Sequence, residues 1–396
     1  MSTRASPSIN LKAYQCPDGR EIHYSIAVLR REATSTSILD IDNPTDEHLL
    51  SSSITKIGAC WVYFTPMGPN RRILELVVNH YAEKFECDKD VMFLCVNRPG
   101  KCGTSSSTKN DDEMSDEMQH VQTSCDDIIT ILDHYGIKQT SLFYMCAGST
   151  FAYSFASKYP KRCSGYIIGI ASWVLHSDSS SAGDIQTPTK MNALSHRLAM
   201  KGIFGPKWLV GKLVGSVAGS VNPIFSTLPT DWVVHLITKD LSKQENQMFD
   251  EKYPDDGLKF VDLMNWVHND GCDDEVSVFV NKTQDACESG GCFGSAATVN
   301  GNNKHECDAK DTAVCLSAQQ DLGLIYKHNI PTQKQVLLWH GEDDKMISIE
   351  GAEYLERQIT NATLTLIPEG THQGVMFFFP DDVIDALNRI SRDVLV

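Results

Sequence analysis

The sequence lacks any apolar run long enough to cross a bilayer as a helix, which needs about 20 consecutive apolar residues. The longest candidate, residues 208–225, is interrupted by Lys212, Asn222, Pro223 and several glycines. The N-terminal stretch MSTRASPS has no apolar segment of the kind that secretory signals carry. These absences predict no stable membrane insertion and a cytoplasmic location.

The sequence also has fewer basic than acidic residues. Lys and Arg total 35 against 51 Asp and Glu, so the formal net charge at pH 7 is −16. Nucleic-acid binding depends on Lys and Arg side chains that neutralise phosphates, so we expect no nucleic-acid partner. The hydrophobic share of 41% and charged share of 22% are ordinary for a globular protein and argue against disorder. Nothing in the sequence indicates an oligomeric state.

The cysteines lack the spacing of a disulfide framework. Their number, 13, is odd. Cys60, Cys95, Cys146 and Cys163 lie in or beside apolar, strand-like runs, where free cysteine behaves as a small buried hydrophobe. Free thiols are typical of proteins in a reducing compartment.

Motifs for metals and cofactors are missing as well. The later cysteines form no Cys-x2-Cys pair of the zinc type, so we expect a disulfide or free thiols among them and no metal site. No Gly-x4-Gly-Lys-Ser/Thr phosphate loop occurs, and we expect no cofactor. These later cysteines are Cys272, Cys287, Cys292, Cys307 and Cys315.

Short apolar runs alternate with amphipathic segments towards both ends of the chain. Residues 9–30 predict a β-hairpin, and the Ser-, Thr- and Asp-rich segment 34–55 predicts a loop. The alternation indicates an α/β fold with a mostly parallel sheet covered by helices on both faces. The predicted strands are 59–64, 91–96, 142–145, 166–171, 335–339 and 363–367. The predicted helices are 73–85, 119–135, 350–358 and 380–394, and a further helix-compatible segment follows Cys146 and runs towards Tyr159-Pro160.

The alternation stops near Trp173 and resumes at 335. The intervening part has helix-like segments without clear parallel strands, and it includes a Gly-, Asn-, Asp- and Cys-rich insertion. We therefore predict one α/β domain with an inserted helical lid. Its parts are a first core half at 1–174, a lid at 175–328 with the insertion at 270–316, and a second core half at 329–396; the helix-like lid segments are 190–201, 206–220, 229–241 and 258–268.

Three chemically competent side chains follow predicted strands. Cys146 follows strand 142–145, a carboxylate turn follows strand 335–339, and His372 follows strand 363–367. Ligand and catalytic groups in open α/β sheets gather at the carboxyl ends of strands, so we expect these groups to meet in one crevice.

The motifs around these residues resemble those of the α/β-hydrolase fold superfamily over residues 10–395. The matching segments are Asn97-Arg98-Pro99-Gly100 for the family's Asp-Arg-Pro-Gly loop, His340-Gly-Glu-Asp-Asp344 for its acid turn, and Gly370-Thr-His372 for its histidine loop. The resemblance implies that Asp344, rather than Asp343, is the acid. It also implies the chain order nucleophile, acid, histidine that is found here.

The nucleophile position departs from the family's Gly-x-Ser-x-Gly elbow. The sequence is Tyr144-Met-Cys146-Ala-Gly148, in which the second glycine is kept and Tyr144 replaces a small residue. Cysteine in place of serine is similar to the dienelactone hydrolases. The resemblance implies that Cys146 is the nucleophile and that the backbone N–H groups of Met67 and Ala147 form the oxyanion hole. The usual His-Gly of the oxyanion loop is absent.

A thiol at an elbow has chemistry of its own. A helix N-terminus and a neighbouring imidazolium favour the thiolate, which is the reactive form. His372 would accept the proton of Cys146, and Asp344 would orient and stabilise the resulting imidazolium. Attack on a carbonyl would then form an acyl-cysteine. We therefore predict an enzyme that cleaves an ester, thioester or lactone.

Two other functions stay open. The acyl-cysteine is a thioester that amines and thiols attack readily, so the same residues would serve an acyltransferase. Tyr144 and the altered oxyanion loop instead motivate a non-catalytic protein that binds a ligand in the same pocket. In each case the expected partner is a small molecule, and the apolar segment 206–220 suggests that it is partly apolar.

Overall fold

A computed structural model describes the parts of the chain that build the sheet and the helices around it. Among these residues, no helix combines the length and apolarity needed to cross a membrane. The described residues are 9–31, 36–38, 57–66, 70–106, 116–173, 176–177, 185–186, 232, 234–235, 238–255, 257, 259–261, 335–378 and 380–394.

One large sheet organises the described residues, and its pairing confirms the mostly parallel arrangement. The strand order is β1-β2-β5-β4-β6-β7-β10-β11, and β3 pairs with β2. Pairing is parallel from β5 through to β11 and antiparallel among β1, β2, β3 and the β2–β5 pair. The strands are β1 (Asn10–Gln15), β2 (Glu21–Arg31), β3 (Thr36–Ile38), β4 (Ile57–Phe64), β5 (Asp90–Val96), β6 (Thr140–Met145), β7 (Cys163–Ile170), β8 (His176–Ser177), β9 (Ile185–Gln186), β10 (Gln335–Gly341) and β11 (Ala362–Ile367), with β8 and β9 forming a separate antiparallel pair.

Helices cover both faces of this sheet, as the alternating pattern predicts. Leu142 and Tyr144 of β6 face a core closed by α2, α3 and α5. Phe143 and Met145 of the same strand face a core closed by α1 and α7. Burial on both faces explains why β6 is a continuous apolar run. The helices are α1 (Leu74–Glu83), α2 (Asp116–His134), α3 (Gly148–Lys158), α4 (Lys243–Lys252), α5 (Ile349–Gln358), α6 (His372–Phe377) and α7 (Asp381–Asp393).

The structure differs from the sequence prediction in two places. Strand β3 lies inside the predicted loop 34–55, where it extends the sheet edge by pairing with β2. Helix α4 lies just after the predicted helix 229–241, and its sequence KQENQMFDEK has too few apolar residues to show helical periodicity. Its start is instead set by a capping box, in which Ser242 and Glu245 satisfy each other's backbone N–H groups.

Most of the predicted lid lies outside the described residues. This holds for the segments 190–201 and 206–220 and for the insertion 270–316. Segments 229–241 and 258–268 are described in part, and each contains helical residues. The division into two core halves and a lid stays a prediction.

A glycine on the neighbouring strand makes room for Tyr144. Tyr144 of β6 pairs in register with Gly169 of β7. A Cβ atom at position 169 would lie 2.2 Å from both Cζ and Oη of the Tyr144 ring. The buried hydroxyl also hydrogen bonds with those of Tyr153 at 3.0 Å and Ser172 at 2.7 Å. The sheet thus accommodates a large side chain where the family elbow has glycine.

We expect Gly169→Ala to lower the free energy of unfolding by about 1–3 kcal/mol, because the added methyl group overpacks against the Tyr144 ring. Urea denaturation of Gly169→Ala, Tyr144→Ala and the double variant measures this coupling. In the Tyr144→Ala background the methyl group has space, so the Gly169→Ala penalty should largely vanish. An equal penalty in both backgrounds would contradict the proposed packing.

Candidate active site

Cys146 lies at the sharp turn between the end of β6 and the start of α3. Its φ is +49°, in the left-handed region that a residue with a side chain adopts only under constraint. The surrounding backbone supplies the constraint. The Cys146 N–H donates to the Ile170 carbonyl at 2.9 Å, and its carbonyl accepts from Ser149 N at 3.1 Å and Trp173 N at 3.2 Å. This sequence of strand, strained turn and helix has the geometry of a nucleophile elbow.

Gly148 allows the helix after the elbow to approach the sheet. A Cβ atom at this position would lie 2.4 Å from the carbonyl oxygen of Phe64, at the end of β4. Only glycine lets the first turn of α3 and the end of β4 pack at this separation. The glycine retained from the family motif therefore has a local packing reason.

The carboxylate of Asp344 lies beside His372, joined to it by a 2.8 Å hydrogen bond between Asp344 Oδ2 and His372 Nδ1. The other carboxylate oxygen accepts from the backbone N–H groups of Met346 and Ile347, each at 2.8 Å. Asp344 is buried, whereas Asp343 is exposed. The structure thus places Asp344, as the sequence analysis expects, next to the histidine and holds its carboxylate in a fixed orientation.

A second imidazole, that of His340, also contacts Asp344. His340 is completely buried, and its Nε2 lies 3.4 Å from Asp344 Oδ2 and 3.2 Å from the carbonyl oxygen of Ile347. Burial lowers the pKa of His340 despite the nearby carboxylate. A neutral His340 braces the acid turn without competing with His372 for the charge of Asp344.

Electrostatics link His372 to both partners. Burial acts to lower the pKa of His372, but electrostatic interactions with Cys146 and Asp344 and the hydrogen bond to Asp344 outweigh it, and the pKa is raised. Burial likewise acts to raise the pKa of Asp344, but the charge and hydrogen bond of His372 hold it below its usual range. Since Nδ1 is bonded to Asp344, Nε2 is the nitrogen available to the sulfur. The arrangement favours an imidazolium at His372 next to a carboxylate at Asp344.

One of the two predicted oxyanion donors is described. Ala147 lies between Cys146 and α3, and its N–H has no hydrogen-bond acceptor among the described residues. Met67 lies outside the described residues. The chain leading to it is held by Arg98, which donates to the carbonyl oxygens of Thr65 at 2.5 Å and Pro66 at 3.5 Å.

Thr371 belongs to the Gly370-Thr-His372 segment, but the sequence did not predict a role of its own for it. Thr371 is the N-cap of α6, and its hydroxyl accepts from Gly374 N at 3.1 Å. The buried carboxylate of Glu245, from α4, accepts hydrogen bonds from Thr371. A threonine ahead of a short helix is a recognisable capping signal. The approach of Glu245, 126 positions earlier in the chain, leaves no local signal.

The other described cysteines differ from Cys146 in their surroundings. None of the eight described cysteines forms a disulfide within the described part of the chain. Burial raises the pKa of Cys60 and Cys163 to about 12 and also raises that of Cys125. Cys146 instead interacts with His372 and helps to raise the pKa of that imidazole. Among the described residues, no group of three His, Cys, Asp or Glu side chains is arranged to hold a metal ion.

Comparison of the whole structure with solved structures identifies the fold. The 2-hydroxy-6-oxo-6-phenylhexa-2,4-dienoate hydrolase of Rhodococcus sp. strain RHA1 aligns with a TM-score of 0.51 at 12% identity, over 98% of this chain and 100% of that one. An alpha/beta hydrolase from a Medee basin deep-sea metagenome library aligns with a TM-score of 0.50 at 14% identity, over 97% and 98%. This is the α/β-hydrolase fold.

A third protein of this fold, a probable hydrolytic enzyme of Pseudomonas aeruginosa PAO1, aligns with a TM-score of 0.50 at 10% identity, over 98% of this chain and 95% of that one. No protein-family model and no curated protein sequence matches the chain. The α/β-hydrolase likeness therefore rests on structure, at sequence identities that show the fold and leave the reaction to be argued from the site.

We expect iodoacetamide to alkylate Cys146 much faster than Cys60, Cys125 or Cys163 near neutral pH, because only the thiolate reacts and His372 stabilises it. Peptide mapping by mass spectrometry measures each rate. The Cys146 rate should stay nearly flat from about pH 6 to 8, since the raised pKa of His372 keeps its imidazolium charged over this range.

His372→Ala should lower that rate about tenfold at about pH 6.5, because the thiolate then forms only near the ordinary thiol pKa of about 8.5 and a more basic thiolate partly compensates. Asp344→Asn should have a smaller effect in the same direction. Equal rates for wild type and His372→Ala across this pH range would contradict the ion pair.

Proposed function

We propose that the protein is a hydrolase that cleaves an ester, thioester or lactone through an acyl-cysteine intermediate on Cys146. The observation that carries the proposal is the connected series of side chains at the elbow. Cys146 is held in a strained conformation, its interaction with His372 helps to raise the pKa of that imidazole, and His372 bonds to Asp344 at 2.8 Å. The hydrolases of Rhodococcus and Pseudomonas aeruginosa with this fold agree with such a reaction.

Acylation begins with attack of the Cys146 thiolate on the substrate carbonyl carbon. A carbon–sulfur bond forms, and the carbonyl electron pair moves to oxygen, where the N–H of Ala147 can donate a hydrogen bond. Collapse of this tetrahedral intermediate breaks the bond to the leaving group. The His372 imidazolium donates its proton to that group and becomes neutral, while Asp344 keeps the ring oriented.

Deacylation reverses these roles with water. Neutral His372 accepts a proton from water as the water oxygen attacks the thioester carbonyl. The second tetrahedral intermediate then expels sulfur as the thiolate and releases the carboxylic acid. Cys146 and His372 return to the thiolate and imidazolium forms, so the cycle balances without a cofactor.

A catalytic role accounts for features that ligand binding alone does not require. A left-handed φ at a residue with a side chain costs roughly 1–3 kcal/mol and persists where the surrounding structure enforces it. Orienting an imidazole with a buried carboxylate also costs desolvation energy. A binding pocket requires neither the strained backbone nor the buried carboxylate, whereas a nucleophile and its general base require both.

Acyl transfer is the second candidate, and it shares the first half of the reaction. Cys146 is only 6% exposed and His372 only 4% exposed. A buried acyl thioester is shielded from bulk water and reacts readily with amines and thiols, which favours transfer when such an acceptor binds. The expected partner in both cases is a small acyl compound, and its identity depends on chain segments beyond the described residues.

We expect wild-type protein mixed with p-nitrophenyl esters or acyl thioesters to gain the mass of one acyl group, located on Cys146. Intact mass spectrometry and peptide mapping measure the adduct. Cys146→Ser should acylate more slowly, because a hydroxyl is a poorer nucleophile than a thiolate, and its oxygen ester should also deacylate at a different rate. Cys146→Ala should form no adduct there.

Cys163→Ala is a matched control, since Cys163 is also buried in the sheet but has its pKa raised by burial. It should behave as wild type. Adding an alcohol, amine or thiol separates the two reactions, because a transferase shifts its products towards the new acyl acceptor. Absence of any acyl adduct on Cys146 across the ester and thioester panel, in protein whose Cys146 is alkylated by iodoacetamide, would count against both reactions.

A further inference from the structure

Helix α4 holds the segment that carries His372 through the carboxylate of Glu245. Glu245 Oε1 accepts from the backbone N–H of Thr371 at 2.8 Å, and Oε2 accepts from the Thr371 hydroxyl at 2.8 Å. Oε2 also accepts from the backbone N–H of Ser242 at 2.8 Å. Glu245 is 8% exposed, so these bonds form away from bulk water. Glu245 therefore binds both the backbone N–H and the hydroxyl of Thr371, the residue that precedes the candidate base His372.

Only a carboxylate of this length satisfies all of these donors. The two oxygens of Glu245 face different donors, the Thr371 N–H on one side and the Ser242 N–H with the Thr371 hydroxyl on the other. A glutamine would turn its NH2 group towards one of these N–H groups and leave a buried donor unpaired. Aspartate is shorter by one methylene group. The site is therefore specific for glutamate.

The neighbouring backbone leaves space for this carboxylate. A Cβ atom at Gly374 would lie 1.7 Å from Glu245 Oε1 and 2.0 Å from Cδ. Any side chain at position 374 would therefore displace the carboxylate from Thr371. The glycine at the first turn of α6 and the glutamate of α4 form a matched pair.

A second set of contacts ties α4 to the far end of the same short helix. Lys252 Nζ lies 2.5 Å from His80 Nε2, which lies 3.2 Å from the carbonyl oxygen of Phe377. Phe260 also packs edge-on against Phe377 with ring centroids 5.3 Å apart. Helix α6 begins at His372 and ends at Phe377, so the segment around α4 contacts both of its ends.

We propose that Glu245 is a positioning residue for His372, acting through Thr371 to hold the imidazole in line between Asp344 and Cys146. As a catalytic role this rests on the proposed function, whereas the effect on Cys146 reactivity does not. Helix α6 has six residues and is too short to fix its first residue by its own hydrogen bonds alone. A displacement of about 1 Å in a catalytic group can cost about 100-fold in rate, so an external anchor has a direct consequence.

The test compares Glu245→Gln with wild type in two assays. In turnover of the best ester or thioester substrate, we expect kcat to fall about tenfold with KM changed less than about twofold, because substrate contacts are kept while the base is misplaced. In alkylation by iodoacetamide, the flat pH dependence of Cys146 should change towards the rising profile of His372→Ala. Thermal unfolding is measured in parallel to separate positioning from stability.

Matched variants sharpen the comparison. Glu251→Gln alters an exposed carboxylate on the same helix, which among the described residues accepts from Gln247 at 2.9 Å, and should leave both assays unchanged. Gly374→Ala should reproduce Glu245→Gln by displacing the carboxylate, and so should Thr371→Val, whereas Thr371→Ser retains the hydroxyl and should retain the wild-type profile. Combining Glu245→Gln with Thr371→Val should add little to either alone.

The proposal is overturned if folded Glu245→Gln and Thr371→Val proteins keep the wild-type alkylation profile, even when their melting temperatures fall. If Glu245→Gln does not fold, Thr371→Val alone decides by the same criterion. If wild type turns over no substrate, the proposed function fails, and the alkylation profiles still decide whether Glu245 positions His372. The two failures are thereby distinguishable.

Discussion

The left-handed backbone at Cys146 is the constraint on which the site depends. It reverses the chain within one residue, so β6 can end and α3 can begin without a loop between them. Three hydrogen bonds from β7, α3 and the segment after β7 hold it there. Without that enforced turn, Cys146 would not lie at the sharp bend between β6 and α3. The strained conformation is therefore maintained by hydrogen bonds from three different segments.

The sheet order explains how distant residues come together. β6, β7, β10 and β11 are successive neighbours, and all run parallel, so their carboxyl ends share one edge. Cys146, Asp344 and His372 each lie just beyond such an end. Burial then strengthens the interactions among them, because the interaction between two charges is stronger in a low dielectric than in water. Parallel pairing brings the three loops to one edge of the sheet, and burial strengthens the electrostatic interactions there.

The sequence is sufficient to predict the parallel strands, most of the helices that cover them and the candidate partners of Cys146, because each of these depends on short-range patterns. Apolar runs predict β4 to β7, the positions after strands indicate the carboxylate turn and His372, and the family resemblance selects Asp344 within that turn. What it did not reveal depends on long-range contacts. Helix α4 is stabilised by a cap and by its contact with Thr371 rather than by an apolar face, and β3 is a three-residue edge strand. The Met67 donor and the lid stay predictions.

The large Tyr144 side chain fits because its partner on the adjacent strand, Gly169, has no side chain. This compensation affects how elbows of this type are recognised from sequence. The family motif places its small residue on the nucleophile's own strand, but here the small residue stands on the adjacent strand, directly across the register. The steric requirement belongs to the pair of strands and not to either one. A sequence search that accepts a glycine at the paired position of the adjacent strand, in place of the first glycine of the motif, would find elbows that a search with the linear motif misses.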